Sequence, residues 1–182
     1  MAREVTLIVE DGTIVPNANS FVTEGQIATY ARSRGVLIPA LIDPELDAIA
    51  VLGIQAMDYL AVLPWRGEPV SPMQTTPWPR KNTGLEISET NIPGPIVAAQ
   101  LSLSLFANKG IELIPGGATS GMVIKEKVGP IEQEYSETVG VSQNGLAYFP
   151  SIDLLLKPYL IAEPAAGQIG VGLWALGSPN GC

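Results

Sequence analysis

"DPELDAIAVLGIQAMDYLAVLP", residues 43–64, decides the fold class. Asp43 is a strong N-cap, and Pro44 stands at the first helical position, where a missing N–H does no harm. Glu45 and Asp47 suit the positive end of the helix dipole. Leu46, Ile49, Ala50, Gly53, Met57 and Leu60 then recur at helical spacing along one face. The pattern predicts a helix near 44–62, stopped by Pro64. Gly53 is costly in mid-helix, so it predicts a close approach of another element there.

Moving toward the N-terminus, "VPNANSFVT" (15–23) reads as loop leading into a second helix start. Thr23 and Gln26 have capping-box spacing, and Val22 and Ile27 fit a hydrophobic staple. This helix is expected near 23–34, ended by Gly35. Before it, "EVTLIVEDGT" (4–13) predicts a strand over 4–9 with Glu10 and Asp11 at its turn. Toward the C-terminus, "GPIVAAQLSLSLFANKG" (94–110) predicts a helix near 94–108, with Pro93 and Pro95 at its start and small residues Ala98, Ala99, Ser102 and Ser104 for tight packing. "MVIKEKVGPIEQEY" (122–135) alternates like a hairpin near 122–136. There Lys125 and Lys127 can face Glu132 and Glu134 across the strands. "SIDLLLKPYL" predicts a last helix near 151–160 from a Ser151 cap. The sum is a mainly α (α+β) protein: a small helical bundle with a β-hairpin, a domain over 1–163 and an extended arm over 164–182.

Composition narrows the function. The 182 residues carry 10 basic and 18 acidic side chains, a net charge of -8. Charged residues are 15% of the chain, against roughly 25% in an ordinary soluble domain. Hydrophobic residues are 46%. So little ionic coating implies that much of the surface faces other protein, and an obligate oligomer is expected. Phosphate binding starts at a disadvantage, since the longest basic run is Arg80-Lys81. There is no histidine, which removes His-based triads and the usual zinc sites. Cys182 is the single cysteine, so no intrachain disulfide is possible. No apolar run approaches the ~20 residues of a membrane span, and "MAREVTLIVEDG" is too short and too acidic for a signal peptide.

The glycine-rich pieces fail as nucleotide motifs. "GGATSGM" places Gly116 and Gly121 at Walker spacing, but Met122 and Val123 stand where Lys and Ser/Thr must hold phosphate and magnesium. "GVGLWA" matches with Gly170, Gly172 and Ala175, but only seven residues follow Ala175, too few for a βαβ unit. Helix-cap duty accounts for Asp43, Glu45 and Asp47 without a metal. No nucleophile–base pair is visible. No catalytic residue, cofactor or metal is therefore expected.

Two stretches remain. The charge-free arm "PAAGQIGVGLWALGSPNGC" (164–182) either folds back as an edge strand or buries Ile169, Val171, Leu173, Trp174 and Leu176 in a neighbour. "WRGEPVSPMQTTPWPR" (65–80) is too rich in proline for regular structure. It reads first as a rigid lasso that packs Trp65 and Trp78 on the helices and pairs Arg66 and Arg80 with acids or carbonyls. It reads second as part of a subunit interface, and third as a base-stacking platform.

Together "VEDGTIVPNANSFVT", "AMDYL", "WRGEPVSPMQTTPWPR", "IKEKVGPIEQEY" and "SIDLLLKPYL" resemble segments found in this order in a tailed-phage and prophage family labelled "DnaT-like" single-stranded-DNA-binding protein. The resemblance spans roughly residues 5–160 and leaves the arm beyond 164 outside it. Members of that family look like head–tail connectors (adaptors). The resemblance implies a virion structural protein at the head–tail interface, assembled in the host cytoplasm. It implies a dodecameric ring that binds a portal protein and a tail or tail-completion protein. The genome passes through the lumen without specific binding, and no membrane is involved. Trp65, Arg66, Trp78 and Arg80 are the family pattern; it brings no catalytic residue. The alternative is a single-stranded-DNA-binding accessory protein.

Overall fold

In a computed structural model of the chain, residues 5–38, 48–115, 140–141 and 146–161 are described. The elements run α1 (Glu24–Arg32), α2 (Ala48–Ala61), β1 (Glu68–Pro69), β2 (Arg80–Lys81), α3 (Gly94–Asn108), β3 (Gly140–Val141), β4 (Ala147–Tyr148) and α4 (Pro150–Leu156). A 3₁₀ turn, Lys157–Tyr159, follows α4. The protein is mainly helical, α+β. The strands form two separate antiparallel pairs, β1 with β2 and β3 with β4.

α3 is the axis of the fold. It carries no charged side chain, and it packs on α1, α2 and α4. Ile96, Ala99 and Leu103 are fully buried in one apolar cluster, with Met57 and Leu60 of α2, Phe149, and Ile152 and Leu156 of α4. Leu105 faces a second cluster with Val22, Ile27, Ala31 and Ile38, and Val97 and Ala107 pack against both. Phe149 stacks on Phe106 (4.5 Å) and meets Tyr59 edge-on (5.9 Å). The Tyr59 hydroxyl donates to the Ala147 carbonyl at 2.9 Å. Burial, with Asp153 nearby, pushes this phenol up to about 12.

The helix starts and stops follow their sequence chemistry. At α1 the Gln26 N–H donates to Thr23 Oγ1 (3.2 Å), and the Thr23 N–H donates to Gln26 Oε1 (2.7 Å), closing the capping box. Val22 and Ile27, the expected staple, are fully buried in one cluster. α1 ends with Gly35 N–H on Arg32 O and Val36 N–H on Ala31 O, the paired bonds that left-handed Gly35 permits. α3 spans the expected 94–108. Gly53 of α2 lies against Ile27 and Leu7, whose methyl carbons would stand 3.0 Å from an added Cβ, which is the predicted close approach. The expected start of α2, with Leu46 and the acids Asp43, Glu45 and Asp47, lies outside the described residues. So do the hairpin near 122–136, with Lys125, Lys127, Glu132 and Glu134, and the arm over 164–182.

Four expectations change. The strand over 4–9 reduces to one parallel bridge, Val9 with Ser20. Asn19 explains the loss, because its side chain takes the Ile8 N–H (2.8 Å) and donates to Thr6 O (3.1 Å), replacing a backbone ladder. Ser151 does not cap the last helix. Phe149 holds the cap position without a side-chain bond, and Pro150 follows it where no N–H is needed. The same helix stops at Leu156 and tightens to 3₁₀ at Pro158 rather than running to 160. The proline-rich stretch, expected to be irregular throughout, contains the β1–β2 ladder, with Glu68 opposite Lys81 and Pro69 opposite Arg80.

Candidate functional site

Residues 64–81 leave α2 and close on themselves as a strut against the segment after α4. The Trp65 indole N–H donates to Leu60 O at 2.7 Å, satisfying a carbonyl in the last turn of α2. Trp65 pairs with Leu160 in an antiparallel bridge. Arg66 N–H on Tyr159 O (2.9 Å) and Ile161 N–H on Pro64 O (2.8 Å) flank that bridge. Trp78 has no exposed surface. Its ring stands edge-on to Trp65 and to Tyr159, each at 6.0 Å. Its indole N–H has no acceptor among the described residues. The Trp78–Pro79 peptide is cis.

The arginines hold the loop by its carbonyls. Prolines 69, 72, 77 and 79 have no N–H, so the loop has more backbone acceptors than donors. Arg80 supplies the missing donors: Nε to Arg66 O (2.8 Å), Nη1 to Pro77 O (3.2 Å) and Nη2 to Gly67 O (2.7 Å). Arg66 Nε reaches Leu160 O at 2.9 Å. Gln74 Nε2 adds bonds to Thr76 O (2.9 Å) and Pro79 O (3.0 Å). Gly67 is left-handed and lies so close to the Lys81 carbonyl that any Cβ would overlap it. Burial lowers the Arg80 pKa and the Glu68 charge raises it again; the guanidinium stays charged.

The structure therefore brings Trp65, Arg66, Trp78 and Arg80 together as the lasso of the first reading, with carbonyls as the arginine partners. Both indoles are buried, and the faces that base stacking needs are turned into the core. Ile169, Val171, Leu173, Trp174 and Leu176 lie outside the described residues. Among the described residues no cluster of His, Cys, Asp and Glu suits a metal ion. Nor is any described helix long and apolar enough to cross a membrane.

Sequence reasoning missed two buried polar centres. Glu10, at 2% exposure, accepts the N–H groups of Gly12 (2.8 Å), Ile14 (2.9 Å) and Val15 (2.9 Å). The expected turn at Asp11 is present, with Asp11 Oδ1 accepting from Thr13 N–H and hydroxyl. Gln100, fully buried on α3, accepts from Phe21 N–H (2.8 Å) and donates to Ser20 Oγ (2.9 Å) and Gly53 O (3.0 Å). A glutamine among the apolar and small residues of a helix without charges was the available signal.

The fold and this loop define a small, mainly helical domain whose most distinctive segment is an internal strut. A family model described as "Putative DnaT-like ssDNA binding protein" matches residues 5–172, and the chain belongs to that family. The match runs past residue 160 and takes in the start of the arm, including Ile169 and Val171, though not Leu173, Trp174 or Leu176. No curated protein and no solved structure matches the chain.

Proposed function

We propose that this protein is a virion structural protein, the head–tail adaptor, which forms a dodecameric ring under a portal and joins it to the tail. The observation that carries this reading is a poorly charged surface with large apolar side chains exposed on separate elements. Leu37, Met73, Leu154 and Ile161 expose 79%, 82%, 70% and 58% of their surface, on a chain that is only 15% charged. Apolar exposure on several segments suits a subunit contacted both by neighbouring copies and by other particle components. The net charge of -8 suits a wall past which DNA slides without being held. The role is non-catalytic and needs no cofactor.

Negative-stain images of the purified protein test it, and rings are expected. Light scattering that shows a single-copy mass at high concentration, even with a portal vertex present, overturns it. Removing residues 164–182, or Trp174→Ala alone, is expected to weaken association with the portal while leaving the domain folded.

The family description favours a second reading, a single-stranded-DNA-binding accessory protein. Here the buried indoles and the carbonyl-bound guanidiniums weigh on the adaptor side. Fluorescence anisotropy with a labelled oligonucleotide separates the two. The adaptor reading expects a flat titration at low salt, and the second expects binding that falls steeply with salt.

A further inference from the structure

A cleft of about 250 Å³ lies where α1, α3 and the start of α4 meet, lined by Tyr30, Arg34, Ser102, Phe106, Lys109 and Ser151 among others. It is smaller than the roughly 300–1,000 Å³ of drug-sized ligand sites, and it suits a protruding side chain. Its charged lining residues are both cations, Arg34 and Lys109. The Arg34 guanidinium carbon sits over the Tyr30 ring, 3.4 Å from its centroid. Among the described residues only its Nη1 is bonded, to Ser33 Oγ (3.1 Å) and Tyr30 O (3.4 Å). The Nε–Nη2 edge, which grips a carboxylate side-on, is left for another molecule. Tyr30 is itself fixed by its hydroxyl contact to Ser102 Oγ (2.7 Å). The cation is thus held in place before anything binds.

We infer that this cleft is a carboxylate receptor through which one copy grips the acidic loop of a second copy, at Glu86 and Glu89. The inference rests on the ring reading above and names the contact that would close the ring. Of the other described acids, Glu10 and Asp11 hold their own loop, Glu68 accepts from Asn82, Glu24 and Asp153 sit in the first turns of α1 and α4, and Asp58 and Glu112 line a separate recess. Glu86 and Glu89 are exposed, Glu89 on a turn closed by Asn91 N–H on Ser88 O and Glu86 just before that turn, with partly buried Ile87 packed against the core between them. That turn leads into the N-terminal end of α3, and Lys109 stands just past the C-terminal end. A helix of 15 residues sets Lys109 about 20 Å from the end that Glu86 and Glu89 precede. Lys109 of one copy is therefore out of reach of its own acidic loop, whereas a head-to-tail neighbour can bring the two together, and such a contact closes into a ring when its rotation permits.

The test uses the full chain in two charge-reversed forms, followed by light scattering and negative stain. Arg34→Glu with Lys109→Glu is expected to reduce rings to the single-copy mass, as is Glu86→Arg with Glu89→Arg. All four side chains are exposed, and thermal melts confirm that each form is folded; Arg34→Gln is the milder variant if one is not. Mixing the two forms is expected to restore rings with alternating copies. Wild-type protein that never forms rings overturns the ring reading itself. Wild-type rings that survive in either reversed form overturn the receptor. Loss in both forms without rescue on mixing overturns Glu86 and Glu89 as the occupant. Oligonucleotide binding to wild-type protein that Arg34→Gln abolishes would assign the cleft to nucleic acid instead and overturn the inference.

Discussion

Residues 10–20 and residues 65–81 both lie outside the helices, yet the first is organised around a buried acceptor and the second around half-buried donors. In the first, Gly12, Ile14 and Asn17 take positive φ, and the turned backbone points three N–H groups at the Glu10 carboxylate. In the second, four prolines delete N–H groups, and Arg80 collects three otherwise surplus carbonyls. The charge of each anchor follows from the balance of backbone donors and acceptors around it. A further difference is apolar. The second segment also inserts Trp65 and Trp78 into the main core, whereas Val15 and Ile14 are only partly buried.

That difference sets the order of expected losses. Trp78→Ala should cost the most, about 3–5 kcal/mol, because it empties the centre of the Trp65–Trp78–Tyr159 contact. Urea denaturation measures it, and a loss under about 1 kcal/mol would mean that polar anchors alone hold the strut. Glu10→Gln comes next, at about 2 kcal/mol. Both carboxylate oxygens accept N–H groups, so the amide NH₂ must confront a donor. Arg80→Lys should cost about 1 kcal/mol. It keeps the charge and loses the planar fork, so a cost near zero would show that charge, not donor geometry, matters at this anchor.

Most of the helical frame was legible because it is written locally. Thr23 and Gln26, Gly35, Pro93 and Gly110 mark boundaries through the backbone groups at helix ends, which depend on neighbours a few residues away. Gly53 announced a close approach, though not its partners Leu7 and Ile27. The lasso was legible in outline, since aromatic, arginine and proline together need burial and carbonyl partners. The clustered site at α1, α3 and α4 was not, because Tyr30, Ser102, Lys109 and Ser151 meet only through tertiary packing. The early strand failed for a similar reason: alternation in "EVTLIV" describes a half-buried extended chain, while a ladder needs a partner that Asn19 replaces.

The smallest effect sharpens the comparison inside one loop. Asp11 is exposed beside buried Glu10, and its carboxylate accepts both the Thr13 hydroxyl and the Thr13 N–H (3.0 Å). Those bonds, the hydroxyl first, lower its pKa below the ordinary 3.8. The folded state therefore favours the charged form. Its contribution is present above the ordinary carboxylate value and is lost as pH falls through the lowered one. Asp11→Asn keeps an acceptor oxygen for Thr13, so the loss at neutral pH should be slight, unlike that of Glu10→Gln. The distinguishing reading is the slope of stability against pH. Melts of wild type and Asp11→Asn from about pH 7 to about pH 2 should converge at the acid end. A gap that stays constant would mean that Thr13 holds the turn through geometry alone and that the exposed charge adds nothing.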